Sequence, residues 1–346
     1  MTGATVEASQ RVAVQVAAEV AEIAAGPASI EQRAEALLET LRRVVPYQAA
    51  RVALLDPERR EHVLLAERGY DDRMRSWFTS AAAVAEVELV GLHRAAPPIR
   101  VRRDRSGPPS ELRGWAEYLQ PAGFRESLGV GLFALDGRHL GVLALHTDTV
   151  AHPTDAARDL IGALAPLLGH AVDPLRSIIA AARIVRGATA GVVLTRAGHP
   201  LPLPGLPTHP LLLEGSALLA VAAGMAGENG YAVFLCPTPG AGPDHVRVTV
   251  LGCAAHPPHH MVAVVVLSPP ADLRGLTPVQ LRILGLLVEG RTNPRIAAAL
   301  RLTKRAVAAH MAQIRAQLDA PTRAVATMRA ARQGVYVPSS LTGAGD

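Results

Sequence analysis

The stretch LTPVQLRILGLLVEGRTNPRIAAALRLTKRAVAAHMAQIRAQLDA, residues 276–320, decides how the last third of this chain folds. Its opening carries three agreeing helix-start signals. Thr277 can cap, Pro278 sits at the first helical position where its missing N–H is not needed, and Gln280 completes a capping box. Leu281, Ile283, Leu284, Leu287 and Val288 then make a broad apolar face, and Gly290 ends the helix. Asn293-Pro294 repeats the start signal, with Asn293 expected as the cap and Ile296, Ala297 and Leu300 pointing inward. Thr303 is the expected cap of a third helix, whose core stripe is Val307, Met311, Ile314 and Leu318. A fourth helix is expected from about Thr322 to Gln333, stopped by Gly334. Short helices joined by a tight turn, with a longer helix following, have the layout of a helix-turn-helix.

Charge separates along the chain in the same place. From Leu273 onward there are 11 Arg or Lys against 3 Asp or Glu, a net of +8, while the remainder holds 24 against 27, a net of −3. Positive charge gathered at one end suits contact with a polyanion. The quoted string strongly resembles the LuxR-type (NarL- and FixJ-like) four-helix DNA-binding domain, without gaps over about 60 residues. The matching positions are Leu276-Thr277-Pro278, Leu284, Leu287, Gly290, Asn293, Ile296-Ala297, Leu300, Val307, His310, Ile314 and Leu318. The resemblance implies a third helix lying in the major groove. It implies DNA contacts from Thr303, Lys304, Arg305, Ala308, Ala309, His310, Ala312, Gln313, Arg315 and Arg323, with the fourth helix pairing two subunits through Val325, Met328 and Ala331–Arg332.

The departures from that pattern carry information. Gln280 and Arg282 stand where the family is commonly acidic, and Ala306, Ala308, Ala309 and Ala312 stand where it usually carries Lys and polar residues. Alanine donates no hydrogen bond and offers only apolar contact, for instance to a thymine methyl. Phosphate binding by Lys304 and Arg305 is therefore expected intact, with direct base reading thin and specificity drawn from dimerisation and DNA shape. The competing expectation is a regulatory interaction module whose DNA face is weakened or lost.

Upstream, residues 6–45 read as helical, with Ile30, Ala34, Leu37, Leu38, Leu41 and Val45 on one face and Pro46 as the stop. Strands are expected at 51–56 and 62–70, helix over 71–95 and a Pro- and Arg-rich loop over 96–110. The segments SLGVGLFAL (127–135) and HLGVLALHT (139–147) flank Asp136-Gly137, a hairpin dipeptide, and a helix follows from Thr154 to about Ser177. SLGVGLFALDGRHLGVLALHT with HPTDAARDLIGALAPLLGHAV resembles a GAF sensor domain covering roughly residues 20–175. The fold normally encloses a cavity, so Trp77, Phe78, Trp115, Tyr118 and Phe124 are candidates to line a pocket for an unknown small molecule, or else plain core. Arg100, Arg102, Arg103 and Arg105 are expected on a solvated loop.

Between these parts, strands are expected at 191–201, 231–235, 245–252 and 261–269, with a helix near 210–226. That order resembles a degenerate PAS domain. The expected fold class is a multidomain α+β chain: sensor over 1–177, a PAS-like or α+β middle over 178–272, and the all-α helix-turn-helix domain over 273–346. Two cysteines, Cys236 and Cys253, exclude a disulfide scaffold and point to a reducing cytoplasm. With His256, His259 and His260 they match no zinc spacing, so no metal is expected. No nucleophile elbow, P-loop or dinucleotide fingerprint occurs, so neither an enzyme nor a cofactor is expected. The expected partners are promoter DNA and a second copy of the chain, with no membrane.

Overall fold

A computed structural model describes residues 3–183, 185–226, 230–238, 245–253, 260–270 and 272–342. The chain divides into two compact units, Met1–Arg176 and Ser177–Asp346.

In the first unit, α1 (Gly3–Ala25) and α2 (Ile30–Leu41) replace the single helical run expected over 6–45. Gly26-Pro27 separates them, and Ser29 starts α2 with a full capping box to Gln32. Five strands follow: β1 (Ala49–Asp56), β2 (Glu61–Arg68), β3 (Ile99–Arg100), β4 (Glu126–Phe133) and β5 (His139–Thr147). They form one antiparallel sheet in the order β2-β1-β5-β4-β3. The β4–β5 connection is longer than a two-residue turn. Ala134 N–H donates to Arg138 O, and Gly137 takes a left-handed backbone at φ +86°. Alternation along the strands divides the sheet into two faces. Ala50, Val52 and Leu54 of β1 and Leu143 and Leu145 of β5 join Leu37, Leu38 and Leu41 of α2 in one core. Ile161, Leu164 and Leu168 of α5 (Asp155–Val172) complete it. α6 (Leu175–Arg183) follows after Asp173 and Pro174, so the helix expected from Thr154 to Ser177 is two helices. The opposite face is covered by α3 (Asp72–Phe78), α4 (Ala81–Val90) and a helical turn at Trp115–Leu119.

Arg100 departs from the solvated loop expected of its cluster. It is buried and paired to Asp104 at 2.8 Å and Asp155 at 2.7 Å, which raise its pKa, while Arg102 and Arg103 are exposed. The second carboxylate arrives from a helix 55 positions later, which no local reading supplies.

The second unit begins with another antiparallel sheet: β6 (Ala190–Thr195), β7 (Pro200–Pro202), β8 (Tyr231–Pro237), β9 (His245–Gly252) and β10 (Met261–Ser268). The strand expected over 191–201 is β6 and β7, separated by a turn in which Gly198 takes φ +87°. The sheet order is β7-β6-β10-β9-β8, so both sheets share one arrangement: second, first, fifth, fourth, third. α7 (Ala217–Met225) packs on β10 and β8. Four helices complete the unit: α8 (Pro278–Val288), α9 (Asn293–Ala299), α10 (Lys304–Gln317) and α11 (Arg323–Gln333). Leu281, Leu284, Ile296, Val307, Ile314 and Leu318 are each at most 1% exposed. They belong to the same apolar cluster as Phe234, Val248 and Val265 of the sheet.

The chain after α11 binds the helices to that sheet. Val335, Tyr336 and Val337 are buried, Leu235 N–H of β8 donates to Tyr336 O at 2.8 Å, and Val337 N–H donates to Leu281 O at 3.2 Å. No helix among the described residues is long and apolar enough to cross a membrane.

Candidate functional sites

The first site is built on α10. Thr303 accepts from Ala306 N–H at 3.1 Å, which fixes where the helix starts and leaves its free N–H groups at that end. Val307, Met311, Ile314 and Leu318 hold the opposite stripe in the core, so the outer face stays open. On that face Lys304, Arg305, Ala308, Ala309, Ala312, Gln313 and Arg315 are exposed, and His310 is half-buried with its Nδ1 unpartnered. A helix of 14 residues is about 21 Å long, enough to lie in a groove about 12 Å wide.

The polar side chains differ in how free they are. Gln280 accepts from Thr277 N–H at 2.8 Å and donates through Nε2 to Gln313 Oε1 at 3.1 Å, so Gln313 turns its NH2 group outward. Arg315 donates to Ala320 O at 3.3 Å and to Pro321 O, and Arg323 donates to Arg291 O at 2.5 Å. Lys304 and Arg305 make no hydrogen bond or ion pair among the described residues. Two further cations escaped the sequence reading: Arg295 on α9 and Arg301 in the turn before α10 are both exposed. Arg301 closes that turn with a left-handed backbone at φ +55°, a conformation that costs an L residue about 1 kcal/mol. Thr292, and not Asn293, is the residue before α9, because Pro294 occupies the second helical position. On α11, Met328, Ala331 and Arg332 are exposed, whereas Val325 is half-buried against the core.

The second site is a cavity of about 100 Å³ in the first unit, between the sheet and α3, α4 and the Trp115–Leu119 turn. Its floor is one cross-strand row, Arg51–Ala144–Gly129–Ile99, in which small residues at the centre leave room. Trp77, Phe78 and Trp115 line it as expected, while Tyr118 stacks behind Trp77 at 5.0 Å and Phe124 packs against His146 at 5.5 Å. Sequence reasoning missed the polar members. Arg51 is 4% exposed, His62 and His146 are 3% exposed, and all three line the cavity. Burial lowers the Arg51 guanidinium and pushes His62 and His146 down to about 3, so both imidazoles are neutral near pH 7.

Of the cysteines and histidines from which no metal site is expected, His256 and His259 lie outside the described residues. Among the described residues no group of three His, Cys, Asp or Glu could hold an ion.

Comparison with known families matches residues 274–330 to the bacterial regulatory proteins of the LuxR family and residues 29–172 to the GAF domain. A search of curated proteins finds no match. Among solved structures, the chain is similar to a bacteriophytochrome from R. palustris at 10% identity and TM-score 0.38, covering 78% of this chain and 64% of that one. It is similar to the GAF domain of a phosphoenolpyruvate-protein phosphotransferase from Coxiella burnetii at 20% identity and TM-score 0.37, covering 50% and 96%. A domain of a putative two-component sensor histidine kinase from Sinorhizobium meliloti aligns at 19% identity and TM-score 0.34, covering 44% and 97%.

Proposed function

Because the chain joins a GAF domain to a LuxR-family helix-turn-helix domain, we propose that it is a one-component transcriptional regulator that binds promoter DNA as a homodimer in the cytoplasm. Residues 1–177 sense a small molecule, residues 178–272 relay the change and residues 273–346 bind DNA. The observation that carries this reading is α10: capped, buried along one stripe, open along the other, with Lys304 and Arg305 unpaired at its positive end. We read the chain as a regulator and not an enzyme, since the sequence carries no nucleophile elbow, P-loop or dinucleotide fingerprint. A signal acts by binding one of two arrangements more tightly than the other.

One feature favours a second reading, a regulatory protein that binds another protein through this face. Ala308, Ala309 and Ala312 present apolar methyls where hydrogen-bond donors would read bases. Fluorescence anisotropy on promoter and random duplexes, repeated across salt, separates the two. The regulator should prefer promoter over random DNA by about 10³ or more, with a negative dependence of log K on log salt. Lys304→Gln with Arg305→Gln should weaken both duplexes about equally and reduce the salt slope by about 2. Absence of DNA affinity at low salt would instead support the protein-binding reading.

A further inference from the structure

Arg51 is an expensive residue to bury, and among the described residues no carboxylate forms an ion pair with it, Glu67 acting on it only at longer range. It stands on β1, paired to β2 on one side and β5 on the other. Its Nε is buried with no hydrogen-bond partner, and it makes no ion pair among the described residues. The carboxylate opposite it in the β1–β2 register, Glu67, is bound by Arg75. The guanidinium lies over the face of Phe78, with Cζ 4.7 Å from the ring centroid.

Around it lie further unsatisfied polar atoms. His62 Nε2 and His146 Nε2 are buried and unpartnered, and both residues line the same cavity. Ser127 Oγ pairs with His146 Nδ1, so in the tautomer where Ser127 donates, His146 Nε2 carries a hydrogen that no acceptor receives. Arg51 Nε is a buried donor without an acceptor, with His146 beside the Ala49 end of β1 and His62 beside the Leu55 end, so the centre of the sheet face is a receptor that lacks its anion. Tyr70, whose hydroxyl is also buried without a partner, stacks edge-on against His146 at 5.6 Å. Glu86 of α4 also lines the cavity, and its carboxylate accepts Gly114 N–H at 2.9 Å, so a second negative charge is unwelcome beside it. The apolar walls are Trp77, Phe78, Trp115, Leu119 and Val142.

We infer that this cavity binds a small apolar monocarboxylate, its carboxylate clamped by Arg51, its body held between Trp77 and Trp115. The inference rests on reading residues 29–172 as the sensing domain, and it specifies what that domain senses. Size sets the scale of the body: an engineered cavity of about 150 Å³ takes benzene, so this smaller one, at about 100 Å³, suits a short branched aliphatic chain. A guanidinium matches a planar carboxylate with two parallel hydrogen bonds.

Both tryptophans of the chain, Trp77 and Trp115, line the cavity, so intrinsic fluorescence of the full-length protein reports on it alone. Propionate, isobutyrate and isovalerate are the probes. Isovaleramide serves as the neutral isostere, and inorganic phosphate as an anion without an apolar body. At least one carboxylate should change the fluorescence saturably, with its amide and phosphate each binding about 100-fold more weakly. Arg51→Met should lose a similar factor, and Arg51→Lys, which keeps charge but not the planar fork, about tenfold. If Arg51→Met fails to fold, the lysine variant and the acid-to-amide ratio carry the test alone. Equal binding of acid and amide, equal binding of phosphate, or no response to any carboxylate would overturn the proposal. None of these readouts involves DNA, so a failure here and a failure of the duplex titration are separately visible.

Discussion

Replacing Gly285 by alanine should destabilise the second unit by about 3 kcal/mol, although alanine is the better helix former. Gly285 lies inside α8, and a methyl built there would sit 1.8 Å from the carbonyl oxygen of Val337 and 2.8 Å from its carbon. Both are backbone atoms, so no side chain can rotate away. Either α8 retreats or the segment carrying Val337 leaves. Retreat opens the core around Leu281 and Leu284. Departure breaks Val337 N–H to Leu281 O and Leu235 N–H to Tyr336 O, and exposes three buried side chains. Chemical denaturation of the full chain should show an earlier transition, and amide exchange at Leu235 should accelerate with it. Gly224 is the control: it is helical, exposed and has nothing within 4 Å of its added methyl, so Gly224→Ala should stabilise by about 0.5–1 kcal/mol. An unchanged midpoint for Gly285→Ala would mean that the C-terminal segment does not seal α8 as described.

The contrast between the two glycines also explains what the sequence could reveal. The helices of the DNA-binding domain were legible because their signals are local. Thr277 and Gln280 cap within one turn, Pro278 and Pro294 mark starts, and the stripe Val307, Met311, Ile314 and Leu318 repeats within a single helix. The α9 start slipped by one residue for the same local reason, since Pro294 fits either of the first two positions. What stayed hidden depends on pairings far apart in the chain. Gln313 is turned by Gln280, 33 residues earlier, and Gly285 is sealed by Val337. Arg51 in RVALLD reads as an ordinary strand arginine until β1 is placed between β2 and β5, which puts its side chain under α3 and α4. The shared strand order of the two sheets left no trace as a sequence repeat, because topology constrains which positions face inward and not which apolar residue fills them.

Lowering the pH from 8 to 5 should cost the first unit roughly 4 kcal/mol through two histidines of the cavity. His62 and His146 titrate in the fold near 3, against about 6.5 when unfolded, mainly because burial penalises the charged form and secondarily because Arg51 is close. The folded state therefore binds fewer protons than the unfolded chain between those two values. Stability is fully present above about 6.5 and falls as pH drops, by about 1.4 kcal/mol per unit for each group until the folded value near 3 is reached. A loss of that size is a large share of what an ordinary domain possesses. Denaturant titrations at pH 8, 7, 6 and 5 should give a steadily falling midpoint for the first unit, and His146→Gln should roughly halve the slope. A flat profile would show that both imidazoles accept protons in place, with solvent reaching the cavity. A bound carboxylate changes the expected slope in a particular way. Its negative charge beside Arg51 makes protonation of either histidine easier in the fold, so the folded and unfolded values approach each other. Saturating isovalerate should accordingly flatten the decline as well as raise the midpoint, whereas a neutral ligand of the same shape raises the midpoint and leaves the slope unaltered.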